Sequence, residues 1–412
     1  MRIIVAHPGR QHSFHLASAL KKSGDLLYYC TTIYDKDSSI LMKIIKKFLS
    51  GDNLKRANRR KNNDLNDEEV IQIGELGGLI ETLLVRIDKS RLIYEKVRDF
   101  NADRFGMKVA RLAIKENADI VVMYDSNATK AFKLLKEKAP HIKRVLDVSI
   151  AARPFLKEIY AKEMAHSHNQ DLFLENRAWW SEKPLIKLQH EIDYADYYLV
   201  GSSFVKESLE FCDAKSEQIR IVPYGANVMS DFVHIANSNK PLEVLYVGQV
   251  TYRKGITYLL EAISKMPKKT IHLTIVGAYN DSDWYVKKYI TAPNITFTGL
   301  VTPDKMVQIY NKSDVFVIDS IAEGMAQVGI EAMACGLPVI CSHNSGIDDI
   351  VEDGVNGFVI PCCDVESLQN KIQFFEDNRE QVTKMGKIGR VVASQYTWSD
   401  YEKNVVSAIR SI

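Results

Sequence analysis

The chain has 412 residues, more than one hydrophobic core ordinarily organises, so two domains of roughly 200 residues each are predicted. Hydrophobic residues make up 46% of the chain and charged residues 26%, as is typical of a soluble globular protein. The net charge of +2 argues against nucleic acid or another polyanion as a partner.

The cysteines and the apolar runs exclude further classes of protein. There is neither a CxxC pair nor a histidine spacing typical of zinc, so reduced thiols and no metal site are predicted. The six cysteines are Cys30, Cys212, Cys335, Cys341, Cys362 and Cys363. No apolar run approaches the roughly 18 residues of a membrane span, and the N-terminus reads as a strand instead of a signal peptide. A cytoplasmic protein is therefore expected.

Strands and helices alternate from the N-terminus. RIIVAH at 2–7 is a strand that breaks at Pro8-Gly9, a helix follows as far as Gly24, and LLYYCTTIY at 26–34 is the next strand. This βαβ order predicts a parallel sheet. Further strands are predicted at 119–125, 144–150, 197–202 and 219–225.

The second half repeats the alternation and predicts a second doubly wound domain. Its strands are expected at 242–248, 271–278, 295–299, 315–320, 338–342 and 357–361. The predicted division is an N-terminal Rossmann-like domain over 1–226, a linker over 227–241, a C-terminal domain over 242–393 and a terminal segment over 394–412. The last segment carries an amphipathic helix at 396–412.

Residues 41–61 carry eight Lys or Arg against one Asp, next to an apolar run. One interpretation is an interfacial helix that meets anionic lipid. The other is a solvated helix followed by a basic loop. The short apolar run leaves both open.

The stretch EGMAQVGIEAMACGLPVIC, residues 323–341, places two carboxylates, Glu323 and Glu331, between two buried strands. AQVGIEAMA is predicted as a helix that stops at Gly336, since glycine is favoured there and Pro338 cannot continue it. Ligands of such sheets bind outside the carboxyl ends of the strands, so both carboxylates would face that crevice. Alternatively, Glu323 is only a helix cap and Glu331 only a solvated residue.

A second candidate site follows the first strand of this half, in VGQVTYRKGITYLLEAI at 247–263. Arg253 and Lys254 precede a helix that starts after Gly255. Backbone N–H groups and a cation at a helix start favour phosphate binding, although a solvated turn is the simpler alternative.

These stretches, with QIRIVPYGANV and GIDDIVEDGVNGFVI, resemble the donor-binding half of the retaining GT-B glycosyltransferases of family 4. The resemblance is specific over about 195–361; in the first half it rests on the βα order and on the loop HPGR. It implies a GT-B fold, in which two Rossmann-like domains face each other across a cleft. It also implies a terminal helix that returns to the first domain.

The resemblance also implies roles. Lys254 would meet the donor diphosphate, Glu331 the ribose hydroxyls, and Glu323 the transferred sugar. The family has an arginine after the glycine at Gly248, where this chain has Gln249, so Arg253 would supply the missing cation. The loop whose backbone amides would face sugar and phosphate consists of Gly324, Met325, Ala326 and Gln327.

In the first domain, a loop after the first strand and the ends of two further strands are expected at the cleft. The candidates are Gly9, Arg10, Gln11, His12, Asp125 and Asp147. His166 and His168 lie in a long insertion, where a surface or structural role is the simpler interpretation. The DSD run at 281–283 resembles the metal motif of another glycosyltransferase class, but a polar loop explains it as well.

The function that follows is a metal-independent retaining glycosyltransferase without a cofactor. It would move a sugar from a nucleotide diphosphate to a saccharide or lipid-linked acceptor, in surface polysaccharide or glycolipid assembly, on the inner face of the membrane if 41–61 touch it. Front-face attack, with the leaving phosphate taking the acceptor proton, is implied by the resemblance alone. The alternatives are a nucleotide-sugar epimerase, a sugar phosphorylase or a non-catalytic partner subunit. A dehydrogenase is disfavoured because no GxGxxG follows the first strand.

Overall fold

The computed structural model describes residues 1–47, 50–88, 91–167, 170–175, 181–227 and 240–412. Most of the predicted linker and His168 lie outside these residues. Within them, two parallel sheets, one of seven strands and one of six, confirm the prediction of two α/β domains.

The first sheet has the order β3-β2-β1-β4-β5-β6-β7, so the strand order reverses between β1 and β4. Its strands are β1 Ile3–Ala6, β2 Leu26–Thr31, β3 Val70–Gln72, β4 Ile120–Tyr124, β5 Lys143–Val148, β6 Tyr197–Val200 and β7 Ile219–Ile221. Its helices are α1 Ser13–Lys22, α2 Ile40–Lys47, α3 Gly51–Asn58, α4 Glu75–Ile87, α5 Leu92–Lys115, α6 Thr129–Lys138, α7 Arg153–Ser167, α8 Asp171–Glu175, α9 Glu182–Tyr194 and α10 Ser203–Phe211.

The second sheet has the order β10-β9-β8-β11-β12-β13, with its own reversal between β8 and β11. The strands are β8 Leu242–Val247, β9 Ile271–Val276, β10 Ile295–Gly299, β11 Val315–Ile318, β12 Val339–Ser342 and β13 Gly357–Ile360. The helices are α11 Ile256–Ser264, α12 Trp284–Tyr289, α13 Pro303–Lys312, α14 Gln327–Ala334, α15 Val365–Asp377, α16 Arg379–Ala393 and α17 Trp398–Arg410.

Burial explains why these segments become strands. A parallel sheet with helices on both faces needs strands that are apolar throughout. β4 is buried at all 5 of its positions and β11 at all 4, so their valine and isoleucine side chains fill both layers of the core. Each sheet then turns its carboxyl-terminal edge towards the space between the domains.

α17 ties the end of the chain to the first domain. The Lys22 ammonium of α1 donates to Glu402 of α17 at 2.7 Å, and Arg410 donates to Asp25 at 2.7 Å. At the start of α17, the backbone of Trp398 lies so close to Gly225 that a Cβ on this glycine would stand 2.3 Å from the Trp398 nitrogen. The terminal helix therefore fixes the strand that leads into the region between the domains.

The basic stretch 41–61 forms two short helices, α2 and α3, instead of the single helix of either interpretation. Met42 and Ala57 are buried, and the Lys46 ammonium pairs with Asp35. Among the helices that the structure describes, none combines the length and the apolar character needed to cross a bilayer.

Candidate active site

A cavity of about 930 Å³ lies between the two domains, at the carboxyl ends of both sheets. Glu323, Gly324 and Arg253 line it from the second domain. Gly9 and Asp125 line it from the first. Each sheet contributes loops at the point where its strand order reverses, which is where ligands of such sheets bind.

The Glu323 carboxylate is the centre of charge in the second domain's wall. Arg253 Nη1 donates to Glu323 Oε1 at 2.8 Å, and the Lys254 ammonium pairs with the same oxygen. Burial opposes ionisation of this carboxylate, but the two cations outweigh it and lower its pKa. Two cations share one carboxylate, so one positive charge is left to meet an anion in the cavity.

Arg253 and Lys254 are placed by a tight turn over Tyr252–Lys254 that ends at Gly255. Gly255 has φ +72°, and a Cβ there would stand 1.7 Å from the Asp319 carbonyl oxygen. The position therefore requires glycine. Burial lowers the pKa of the Lys254 ammonium, and Glu323 offsets that effect only partly.

Glu175 of α8 completes this turn and was not predicted. Its carboxylate accepts from the N–H of Tyr252 at 2.6 Å and from the N–H of Arg253 at 3.2 Å. Burial raises its pKa, while these two hydrogen bonds lower it. Since α8 belongs to the insertion of the first domain, the basic turn is held from both sides of the cleft.

The loop before α14 matches the expected donor loop only in part. Ala326 N–H already donates to the Ser345 carbonyl at 3.1 Å, so the prediction that it faces a ligand is wrong. The N–H groups of Gly324 and Met325 have no acceptor among the described residues. The Met325 side chain is buried, and its Sδ accepts from Tyr224 N–H at 3.2 Å.

Gly324 is also the point at which the domains touch. A Cβ on Gly324 would stand 2.0 Å from the carbonyl oxygen of Ser149, in the loop after β5. The Ser202 hydroxyl, after β6, donates to the Gly324 carbonyl. The glycine lets the two backbones meet, which sets the width of the cleft at this end.

Glu331 lies on α14, outside the residues that line the cavity with Glu323. Its carboxylate accepts from the Tyr310 hydroxyl at 3.2 Å. Burial raises its pKa, and this hydrogen bond offsets part of the rise.

Gly248 and Gln249 follow β8; Gln249 is exposed, and its carbonyl accepts from the Tyr246 hydroxyl at 2.7 Å. Gln327 is the first residue of α14, and Glu331 lies one turn further along the same helix.

The predicted residues of the first domain separate into two groups. Gly9 and Gln11 line the cavity, whereas Arg10 lines a neighbouring hollow of about 380 Å³. His12 and Asp147 are buried beneath the cavity, where His12 Nε2 and Asp147 Oδ1 are 2.9 Å apart. Asp147 precedes the last residue of β5, so its side chain enters the packing under α1 instead of the cleft. The prediction that these two face the cleft is therefore wrong.

His7 and Asp125 are two of the titratable groups in the first domain's wall. His7 Nδ1 accepts from Gly9 N–H at 2.8 Å, and burial lowers the His7 pKa to about 4. Asp125 Oδ1 accepts from Ser149 N–H at 3.1 Å; burial raises its pKa, and nearby Arg153 lowers it.

Glu191 supports this wall from behind and was not predicted. It accepts from the N–H groups of Ser126 at 2.7 Å and Ala128 at 2.8 Å, and burial raises its pKa to about 7. Nothing in the sequence around Glu191 distinguishes it from a surface glutamate.

The outer wall of the cavity, built by α4 and α5, was missed entirely. Asn101 Nδ2 donates to Glu81 Oε1 at 2.7 Å across the two helices. Gly78 lets α4 approach β2, because a Cβ there would stand 2.3 Å from Thr32 Cγ2. The paired glycines Gly77 and Gly78 inside a helical pattern were the available signal of close packing.

The remaining candidates lie elsewhere. His166 lines a separate cavity of about 890 Å³. Asp283 directly precedes α12 and accepts from the Tyr285 hydroxyl at 3.1 Å, as a residue at a helix start does. No three His, Cys, Asp or Glu side chains are grouped for a metal ion in the part of the chain that is described. The six cysteines are free, and all of them are described.

The second domain matches a known protein family. Residues 230–392 match the model of glycosyl transferases group 1. The sulfoquinovosyl transferase SQD2 of Arabidopsis thaliana is 30% identical over 237 residues, which cover 53% of this chain and 45% of that protein. The lipopolysaccharide 1,2-N-acetylglucosaminetransferase of Salmonella typhimurium is 24% identical over 307 residues, which cover 70% and 72%. For three of the curated relatives, the matched share of their own length is 45%, 63% and 47%, so the chain spans about half of them.

Solved structures extend the likeness to the whole chain. Sucrose-phosphate synthase from Thermosynechococcus elongatus superimposes with a TM-score of 0.68 at 19% identity, covering 100% of this chain and 98% of that one. Anabaena HepE in complex with UDP-glucose gives 0.61 at 15% identity, covering 100% of both. At such identities the likeness shows the fold alone, and it confirms the predicted GT-B architecture.

Proposed function

Because residues 230–392 match the model of glycosyl transferases group 1, we propose that the chain is a retaining glycosyltransferase. It moves a sugar from a nucleotide diphosphate to an acceptor hydroxyl. The observation that carries the proposal is Glu323, held at the cleft between Arg253 and Lys254.

The two cations suit the charge that develops during transfer. Cleavage of a sugar–diphosphate bond leaves negative charge on the diphosphate, and preorganised cations and amides stabilise that charge in a site shielded from water. Lys254, Arg253 and the N–H groups of Gly324 and Met325 are available for this role. Arg253 then takes the place of the cation that Gln249 does not provide. The diphosphate needs no metal ion or cofactor in this scheme.

Glu331 anchors the nucleotide in the proposal. A single carboxylate accepts from two vicinal hydroxyls, which fits a ribose. Glu331 is half-buried and has the Tyr310 hydroxyl as a neighbour, so its carboxylate is oriented before a nucleotide arrives. Glu323 orients the two cations and faces the transferred sugar.

The acceptor enters from the wall of the first domain, past Gly9 and Asp125. We assign front-face attack, in which the leaving phosphate takes the acceptor proton, as the resemblance to the retaining enzymes implies. Its relatives include a sulfoquinovosyl transferase, a lipopolysaccharide 1,2-N-acetylglucosaminetransferase and an amylovoran biosynthesis glycosyltransferase. They support a role in surface polysaccharide or glycolipid assembly.

Nucleotide binding tests the donor site. UDP is the first candidate because HepE is in complex with it, and GDP and ADP serve as comparisons. Isothermal titration should show Glu331→Ala binding about ten- to a hundredfold more weakly, because hydrogen bonds to a charged group are lost. Glu261→Ala is the matched control, since the Glu261 side chain is 46% exposed and pairs with Lys265 on the same domain.

If none of the three nucleotides binds, or if Glu331→Ala binds like the wild type, the donor site is assigned wrongly. Donor consumption without any acceptor would indicate an epimerase instead. The anomeric configuration of the product, read by NMR, decides whether the sugar is transferred with retention.

A further inference from the structure

The hairpin of α4 and α5 exposes an apolar face to solvent. On α4 the exposed side chains recur at helical spacing, so they form one stripe. The exposed residues of this face include Ile80, Leu83, Ile87, Ile93 and Phe100. Leu76 is also exposed, but it lies at the edge where this face meets the cavity. Contiguous apolar surface of this kind marks a site of interaction with a membrane or a protein.

The opposite face of the same hairpin is the outer wall of the cavity. Gly78, Glu81 and Thr82 of α4 line the cavity, and so do Arg98 and Asn101 of α5. A helix with its side chains is about 10 Å thick. A surface that docks on the apolar face therefore lies one helix diameter from the acceptor side of the cleft.

Basic side chains accompany the apolar face. Arg91 opens α5 and Lys96 follows one turn later, both exposed. The Arg104 guanidinium, at the edge where this face meets the cavity, lies 5.4 Å from the centre of the exposed Phe100 ring. Apolar side chains with interspersed cations are the composition that anionic lipid surfaces attract. This favours a membrane over a second copy of the chain, whose cations would repel their like.

Arg60 lines the cavity and forms no ion pair within the described part of the chain. It is half-buried, and it lines both the main cavity and the neighbouring hollow. Burial lowers the pKa of this guanidinium. The next residue, Lys61, differs, because it pairs with Asp37 at 2.6 Å outside the cavity. A partly buried, unpaired cation is costly unless a ligand supplies an anion.

We propose that the acceptor is an anionic amphiphile. Its charged group sits against Arg60, and its chain remains in a membrane that docks on the apolar face of α4 and α5. This rests on the proposed glycosyltransferase function and names the class of its acceptor.

Vesicle sedimentation tests the docking face. Wild-type protein should sediment with vesicles of phosphatidylcholine that contain phosphatidic acid, and less with phosphatidylcholine alone. The double variant Leu83→Glu/Ile87→Glu should lower the bound fraction at least about tenfold, because two apolar contacts are lost. The control Ile186→Glu/Val391→Glu should bind like the wild type; its positions are 53% and 65% exposed, against 56% and 62% for the tested pair.

Equal binding by both double variants would overturn the docking face. So would a wild-type dimer in light scattering that Leu83→Glu/Ile87→Glu dissociates, because a second copy would then cover the face.

The charged group is tested with soluble probes. Dihexanoyl phosphatidic acid should bind more tightly than dihexanoylglycerol or glycerol 3-phosphate, which separates an amphiphile from a free phosphate. Arg60→Gln should weaken phosphatidic acid binding about ten- to a hundredfold, whereas Lys61→Gln should not change it. Equal binding of glycerol 3-phosphate, or no effect of Arg60→Gln, would overturn the proposal.

Nucleotide titration of the same variants separates the two claims. All of them should bind the nucleotide like the wild type, because the altered residues lie on the first domain, except Val391, which is exposed on α16. If a variant loses lipid binding but still binds the nucleotide, the altered residue acts on the acceptor alone. If the wild type binds no nucleotide, the proposed glycosyltransferase function itself is wrong.

Discussion

The two walls of the cleft satisfy their charges in different ways. In the second domain's wall, the cations Arg253 and Lys254 share the carboxylate of Glu323, and Glu175 holds the turn that carries them. In the first domain's wall, Arg60 has no partner among the described residues, and the hairpin behind it exposes apolar side chains.

The difference separates a wall whose charged groups are held in place before a ligand binds from one whose charge and apolar surface are left open. The second domain fixes its charged groups before any ligand arrives, as suits a group that is common to all donors, such as a diphosphate. The first domain leaves charge and apolar surface open. The following changes disturb one wall and leave the other intact.

Removing the shared carboxylate should have the largest effect. Glu323→Gln leaves Arg253 and Lys254 buried without their counter-charge, and breaking a buried ion pair in this way costs about 3–5 kcal/mol in the free energy of unfolding. Urea unfolding measures the loss. A bound nucleotide diphosphate should restore part of it, because the ligand supplies the missing negative charge.

Glu261→Gln, on an exposed pair of the same domain, should change stability by less than about 1 kcal/mol. A loss of similar size in both variants would mean that the cluster around Glu323 is not the fixed centre of this wall.

Lys254→Ala should lower the transfer rate constant about a hundred- to a thousandfold, because one donor to the developing charge is removed. Steady-state kinetics with the donor identified by titration measure the rate. Lys265→Ala, which removes an exposed lysine of the same domain, should leave it unchanged. A decrease of less than about tenfold would assign the diphosphate to Arg253 instead.

The first domain's wall should respond to pH through His7. Burial lowers the His7 pKa from 6.5 to about 4, so its contribution to stability is complete above pH 6.5 and is lost as the pH falls towards 4. The loss at pH 5 should be about 2 kcal/mol, at 1.36 kcal/mol per pKa unit.

His7→Gln should remove that part of the pH dependence when the free energies of unfolding at pH 7 and pH 5 are compared. His190→Gln, at an exposed position, should retain it. If the wild type and His7→Gln lose equal stability between the two pH values, burial does not lower the His7 pKa in the folded protein.

The sequence was informative where residue type and local geometry coincide. Apolar runs predicted the strands, because strands covered on both faces have no polar side. Gly336 predicted the end of α14, and it has φ +82° in the structure. Lys254 and Glu323 were both assigned to the cleft, yet their pairing could not be predicted, because a contact across 69 positions leaves no local pattern.

The outer wall of the cavity, built by α4 and α5, shows a different limit of prediction from sequence. Leu76, Ile80, Leu83 and Ile87 recur at helical spacing, which ordinarily predicts a face turned towards the core. In α4 that face is exposed, with Leu76 at its edge beside the cavity, and the residues of α4 that line the cavity are mostly glycine, threonine and glutamate. Periodicity identifies a face but not what covers it. Likewise, Asp147 ends a strand yet turns under α1, since alternation along the strand decides its direction.

The contact of Gly324 with Ser149 has a consequence for engineering. Two main chains meet there without a side chain between them, so the backbone determines the separation of the donor and acceptor walls. Side chains on either wall can then be exchanged to change the sugar or the acceptor while the distance between the reacting groups is kept. A library that varies both walls and keeps this glycine should retain active members, whereas one that replaces the glycine should lose them.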